Sequence, residues 1–367
     1  DLALLSGLTR LTTLSIETHP GADLSPRAPL NLRSLDVSGT SVALEDVVAL
    51  PGSRALSSLT AGALEIDDVA PVAQFRALRT LRLPDNRVTD LAPLRGLSGL
   101  EWLELQDNRI DDIGPLGPLS RLRQLNLADN NISDVGPLKG LAGLRDLDLG
   151  RNDLTDIGPL GDLPRLLFLD LPHNRLSDLG PLGGLPSVRF LDLSGNEVSD
   201  VSPLAGLTGL VSLRLTDNHV SDIGPLVRRE LWDLDGGSAF LFVDANPLDA
   251  TSLNEHIPTL ESWGVRVVEP FALFDDLRRE VAITDPVLHA LVAQTVAEDF
   301  AYVDGPITTN SIGRLTRLRG RNAGVADLSG LEAATALASV FLASNLVSDL
   351  APWLRCPGSV RWTFPTT

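Results

Sequence analysis

The chain has 367 residues, 43% of them apolar, enough for a large folded core. Its formal charge of −18 argues against a nucleic-acid partner, which calls for basic faces, and no apolar run is long enough to cross a membrane. One cysteine, Cys356, excludes an internal disulfide, and the opening Asp1-Leu-Ala-Leu with no methionine anywhere reads as a trimmed piece of a longer chain.

Residues 1–75 read as degenerate repeats, with strands expected at Leu11-Thr-Thr-Leu14-Ser-Ile16 and Leu32-Arg-Ser-Leu35-Asp-Val37. Residues 76–226 form a regular array. Seven asparagines, Asn86, Asn108, Asn130, Asn152, Asn174, Asn196 and Asn218, stand 22 residues apart. The unit around each is L-x-x-L-x-L-x-x-N-x-[IVL]-x-D-[IVL]-x-P-L-x-x-L, as at Leu78 to Leu97. A fixed period in this range means stacked supersecondary units. The L-x-L pair, such as Leu81 and Leu83, is a short strand with both leucines on one side, and stacking buries each layer on the next. The asparagine at the strand's exit carries donors and an acceptor that can saturate the turning backbone, so a ladder of amides is expected.

Aspartates repeat on the same interval from Asp68 to Asp222, each followed three residues later by proline. A carboxylate suits the free N–H groups at a turn's start, and proline suits its first positions. A short 3₁₀ or helical turn on the convex side is therefore expected in each repeat. One aspartate per repeat needs no metal; a calcium ladder is the other reading, and no cofactor is implied.

After Pro225 the period breaks. Residues 227–240 read as an insertion, Leu241 to Asn246 as a restored strand with its Asn, Thr251 to Trp263 as a helix interrupted by Pro258, and Val265 to Val268 as a closing strand. Residues 271–311 read as a helical cap and linker, with a helix near 275–300. Residues 312–367 read as the start of a second array, in which Leu337 to Pro352 is a full copy, Trp362 takes a strand position and Cys356 aligns with the core residue Leu97. Residues 1–270 then make the first repeat domain.

Strand residues facing away from the core form columns on the concave sheet. One is Thr80, Trp102, Gln124, Asp146, Phe168, Phe190 and Ser212; the next is Arg82, Glu104, Asn126, Asp148, Asp170, Asp192 and Arg214. At a strand spacing of ~4.8 Å, Asp148, Asp170 and Asp192 form a row of like charges that a basic partner or a cation would relieve. Trp102, Phe168 and Phe190 face solvent, as an aromatic binding patch would. The candidate partner-binding residues are Trp102, Glu104, Asp146, Asp148, Phe168, Asp170, Phe190, Asp192 and Arg214. The five histidines are scattered, and there is no nucleophile motif, metal-ligand spacing or phosphate-binding glycine loop, so a non-enzymatic protein is expected.

The 22-residue unit resembles the internalin type of bacterial leucine-rich repeat, and is similar to the repeat of a regulatory subunit of eukaryotic protein phosphatase. The resemblance implies an α/β solenoid with a parallel sheet on the concave face, belonging to an exported or surface protein that binds another protein. Internalin-like proteins usually carry one array with a cap at its front, whereas here a cap-like helix stands between two arrays. A structural component of an extracellular assembly, self-associating through array ends or flanks, is the second reading; a cytoplasmic regulatory scaffold is the third.

Overall fold

A computed structural model describes residues 10–16, 24, 31–234, 239–268 and 292, together with three strands farther on. The chain divides into two compact units, Asp1–Pro270 and Phe271–Thr367. The first is a solenoid whose strands form one twelve-stranded parallel sheet in chain order. β1 (Thr13–Ser15), β2 (Ser34–Asp36) and β3 (Ser58–Thr60) precede the regular strands β4 (Thr80–Arg82), β5 (Trp102–Glu104), β6 (Gln124–Asn126), β7 (Asp146–Asp148), β8 (Phe168–Asp170), β9 (Phe190–Asp192) and β10 (Ser212–Arg214). β11 (Phe240–Phe242) and β12 (Arg266–Val268) close it.

The central leucine of each regular strand pairs with its counterpart one period on, Leu81 with Leu103 and Leu103 with Leu125. Repeat thus stacks on repeat without slippage, and every layer puts the same positions inside. In one repeat these are Leu78, Leu81, Leu83, Val88, Leu91, Leu94 and Leu97, all at most 1% exposed. Each such side chain contributes roughly 1.5–3 kcal/mol on burial, available only once a neighbour covers the layer.

The expected amide ladder is present. Asn152 Nδ2 donates to Leu127 O of the preceding repeat at 3.0 Å and to Leu149 O of its own at 3.0 Å, while its Oδ1 accepts from Ile132 N at 2.9 Å. The pattern runs from Asn86 to Asn218 and on to Asn246, whose amide reaches Leu215 O and Val243 O. The residue before each of these asparagines is left-handed, with φ between 51° and 65° at Asp85, Asp107, Asp129, Arg151, His173, Gly195, Asp217 and Ala245. In the irregular first repeats Thr40 stands in for the amide: its hydroxyl donates to Val37 O at 2.6 Å and accepts from Val42 N at 3.2 Å.

The convex turns are 3₁₀, as at Ala92–Gly96 and Gly136–Gly140, each with proline in its first two positions. Each repeating aspartate accepts the N–H two residues on, Asp90 from Ala92 and Asp134 from Gly136, both at 2.7 Å. The carboxylate therefore acts from just outside the turn. At Asp200 the Ser202 N–H, and then its hydroxyl, hold the carboxyl below its ordinary range. In an early repeat the α-helix α1 (Leu44–Ala49) takes the place of the 3₁₀ turn.

The insertion is shorter than residues 227–240. Trp232 keeps the period: it bridges Leu210 in parallel, is 4% exposed, and its Nε1 donates to Leu226 O at 3.1 Å. The added length lies between Trp232 and Ala239, so that Ser212 pairs with Phe240 instead of a residue one period on. The expected helix is a π-turn, Ser252–His256, running into α2 (Ile257–Ser262), with Pro258 in the first turn of α2 where its missing N–H costs nothing. Ser252 Oγ accepts from Ile223 N at 3.1 Å and donates to Ser221 O, tying this cap to the last regular repeat.

In the second unit β13 (Arg317–Arg319), β14 (Ser339–Phe341) and β15 (Arg361–Trp362) pair in parallel, with Leu318 opposite Val340 and Val340 opposite Trp362. The same 22-residue interval therefore spaces these strands. The expected helix near 275–300, the remainder of the 271–311 linker, the Leu337–Pro352 copy outside β14, and Cys356 lie outside the described residues.

Asn152→Ala removes the partner of Leu127 O, Leu149 O and Ile132 N together. It should lower unfolding stability by about 2–4 kcal/mol in urea titrations, whereas Ala at the exposed Asn131 beside the ladder should cost under ~0.5 kcal/mol.

Candidate functional site

The two columns flanking each buried strand leucine lie on the face of the sheet that the core does not cover. The structure brings part of the expected patch together. Phe168 and Phe190, opposite each other on β8 and β9, stack with ring centroids 4.5 Å apart and planes 8° from parallel. Phe168 is 41% exposed, an unusual state for a large apolar ring in a described core of near-zero exposure. Trp102, 39% exposed, does not join them: Gln124 on β6 and Asp146 on β7 stand between, so it is about 14 Å away along the sheet. The aromatic patch is therefore the Phe168–Phe190 pair, with Trp102 a separate exposed ring.

Two further aromatics belong to the same columns. Phe240 and Phe242 on β11 flank Leu241 as Ser212 and Arg214 flank Leu213. Their centroids are 6.3 Å apart, and Arg214 lies 5.0 Å over the Phe242 ring. Alternation about Leu241 was the signal for them, but it becomes visible only when the columns are carried across the insertion.

The acidic row forms as expected, Asp148 opposite Asp170 and Asp170 opposite Asp192. Its members are not equivalent. Asp148 Oδ1 accepts from Gly150 N at 3.0 Å, and Asp192 Oδ1 from Ser194 N at 2.9 Å. The corresponding residue after Asp170 is Pro172, which has no N–H to give. Burial, then the neighbouring Asp148 and Asp192 charges, push the Asp170 carboxyl up to about 7, against an opposing pull from Arg214. Burial also raises Asp148, offset by its Gly150 hydrogen bond. At the row's end Arg214 Nη1 lies 3.7 Å from Asp192 Oδ2.

The other two expected acidic residues are already engaged. Glu104 pairs with Arg82 at 2.8 Å, and Asp146 accepts from the Gln124 amide. Among the described residues no group of three or more His, Cys, Asp or Glu side chains is placed to hold a metal ion, and no helix is long and apolar enough to cross a membrane. His173, beside the amide ladder, is lowered first by burial and then by Arg151.

A carboxyl raised in the folded state binds its proton more tightly there than in the unfolded chain, so stability from this source is present at acidic pH and lost as pH rises toward 7 and beyond. Asp170→Asn should therefore raise unfolding stability at pH 8 by on the order of 2–3 kcal/mol, with the gain shrinking toward zero near pH 4. Asn126 occupies the equivalent place on β6, so the amide fits the column. Urea midpoints of the two proteins across this range check the sign.

The family model described as "Leucine rich repeat" matches residues 120–176, and that described as "Leucine Rich repeats (2 copies)" matches 98–140, 164–206 and 186–228. Among solved structures, an internalin (inlF) of Listeria monocytogenes is 25% identical with a TM-score of 0.60, over 72% of this chain and 81% of that one. An internalin C2 (inlC2) of the same organism is 33% identical over 52% of this chain and 81% of that one, with a TM-score of 0.48. A leucine-rich repeat protein of Leptospira interrogans shares the fold, with a TM-score of 0.56 at 17% identity over 98% and 97% of the two chains. No curated protein matches the sequence.

Proposed function

The chain belongs to the leucine-rich repeat proteins, in their internalin form, and on that footing we propose that it is an exported, non-enzymatic module that binds a protein partner on the concave face of its sheet. Export rests on the internalin likeness. The binding face rests on one observation, the Phe168–Phe190 stack, with Phe168 exposed, beside the row Asp148, Asp170 and Asp192. Rings already ordered against each other lose little freedom when a partner covers them, and aromatic anchors dominate interface energetics. The crowded carboxylates are the complement of a basic side chain, which would remove the repulsion that the isolated protein bears. The partner that fits presents lysine or arginine next to an apolar surface. Arg214 over Phe242 extends the same chemistry to the neighbouring strands.

A cross-linking pull-down from the native source, with partners identified by mass spectrometry, tests this. The F168A/F190A double variant should lose the partner while its urea midpoint moves by less than ~1 kcal/mol, since both rings lie on the uncovered face. Partner capture unchanged by the variant would remove this face from consideration, and recovery of the protein alone would favour a self-assembling structural role. A basic partner must also displace the proton that Asp170 holds below about pH 7. Affinity should therefore fall severalfold from pH 8 to pH 6, and D170N should flatten that dependence in titrations of the recovered pair.

A further inference from the structure

A cleft of about 370 Å³ opens at the entry edge of the strands, away from the core-facing leucines and just before the first outward column. Arg123 and Arg145, the residues immediately preceding β6 and β7, line it. They are direct neighbours in the stack, as the Arg145 N–H donates to Arg123 O at 2.8 Å. Arg121 and Arg165 also line it, on either side of Gly143 in the repeat-equivalent column, with the Ser120 hydroxyl nearby. Gly143 carries no side chain, and a Cβ added there would lie 3.2 Å from Leu122 O. The consequence is a notch with no side chain of its own between two flanking arginines.

No carboxylate pairs with any of these four guanidiniums. None makes an ion pair or a hydrogen bond to another described residue, while Arg79, Arg82, Arg87 and Arg175 each take a carboxylate from the adjoining repeat. Glu101 is the one acidic group lining the cleft, and it is already engaged by Arg79. In a chain carrying 48 acidic residues and a charge of −18, four unpaired arginines gathered at one cleft are an exception. Arg123 and Arg145 start from adjoining strands ~4.8 Å apart, and no ion pair among the described residues offsets their mutual repulsion. An anion would. Guanidinium forks match tetrahedral oxyanions in a bidentate manner.

We propose that the cleft lined by Arg121, Arg123, Arg145 and Arg165 is a binding site for a sulfate- or phosphate-type oxyanion group. It lies at the strand edge instead of on the aromatic and acidic columns, and it does not depend on the function of that face.

Calorimetric titration of the full chain with inorganic phosphate, and separately with inorganic sulfate, at constant ionic strength made up with chloride, tests the site. Saturable binding is expected, weakened at least tenfold in R123Q/R145Q. The control R87Q/R175Q removes the same charge from arginines paired elsewhere and should bind within twofold of the parent. Saturation by both ions assigns the cleft to the oxyanion class as a whole; saturation by one alone narrows the source to sulfated or to phosphorylated groups. Absence of saturable binding of either ion overturns the proposal, as does an equal loss in the control, which would make the effect one of bulk charge. Matching urea midpoints for the two double variants confirm that folding is not what is being read.

Discussion

The structure depends on one side-chain amide. A chain that turns sharply at the end of a three-residue strand leaves carbonyls and N–H groups facing inward, where water does not reach them and an unpaired group costs about 1–3 kcal/mol. The asparagine at that place saturates groups of its own turn and of the preceding one at once, as Asn108 does with Leu83 O, Leu105 O and Val88 N. Because each amide reaches back one repeat, it holds successive turns in register: where a repeat is longer, the added residues lie outside the turn and Asn246 still reaches Leu215 O and accepts from Val220 N. The leucines supply most of the burial, but the ladder decides which leucine lies over which.

That constraint also sets the backbone ahead of it. The residue before each ladder asparagine is left-handed, a state natural for Asp and Gly but costly for Arg151 and Ala245. Their tolerance shows that the hydrogen-bonded turn over-determines the conformation. Where no ladder asparagine is available, the chain departs from the pattern. Thr40 supplies a partial substitute, and a short α-helix, α1, replaces the 3₁₀ turn of the regular repeats.

Aspartate has opposite meanings on the two sides of the solenoid. On the convex side each carboxylate receives a backbone N–H in an exposed place and closes a turn, as Asp90 does with Ala92. On the sheet, three carboxylates stand in register, half-buried, and the middle one has a proline where its neighbours have an N–H donor. The first arrangement stabilises the fold; the second strains it, and a surface that strains its own fold in isolation is suited to a partner that relieves the strain. The arginine cleft has the same character with the sign reversed.

Repeat period, strand and turn positions, buried leucines, amide ladder and outward columns were all legible from residues 76–226, because each is a local consequence of a fixed 22-residue interval. The acidic row followed from the same arithmetic. Tertiary structure alone decided matters that depend on what lies beside each position. It put Trp102 apart from the Phe168–Phe190 stack, and brought Phe240 and Phe242 into the columns by pairing Ser212 with Phe240 while Leu210 stays with Trp232. It desolvated Asp170 between Asp148 and Asp192, and it gathered four arginines around Gly143 beside a single lining carboxylate, Glu101, that Arg79 already holds. Periodicity in one dimension says which residues share a column; pairing, desolvation and unmet charge depend on distances in three dimensions, which the fold sets.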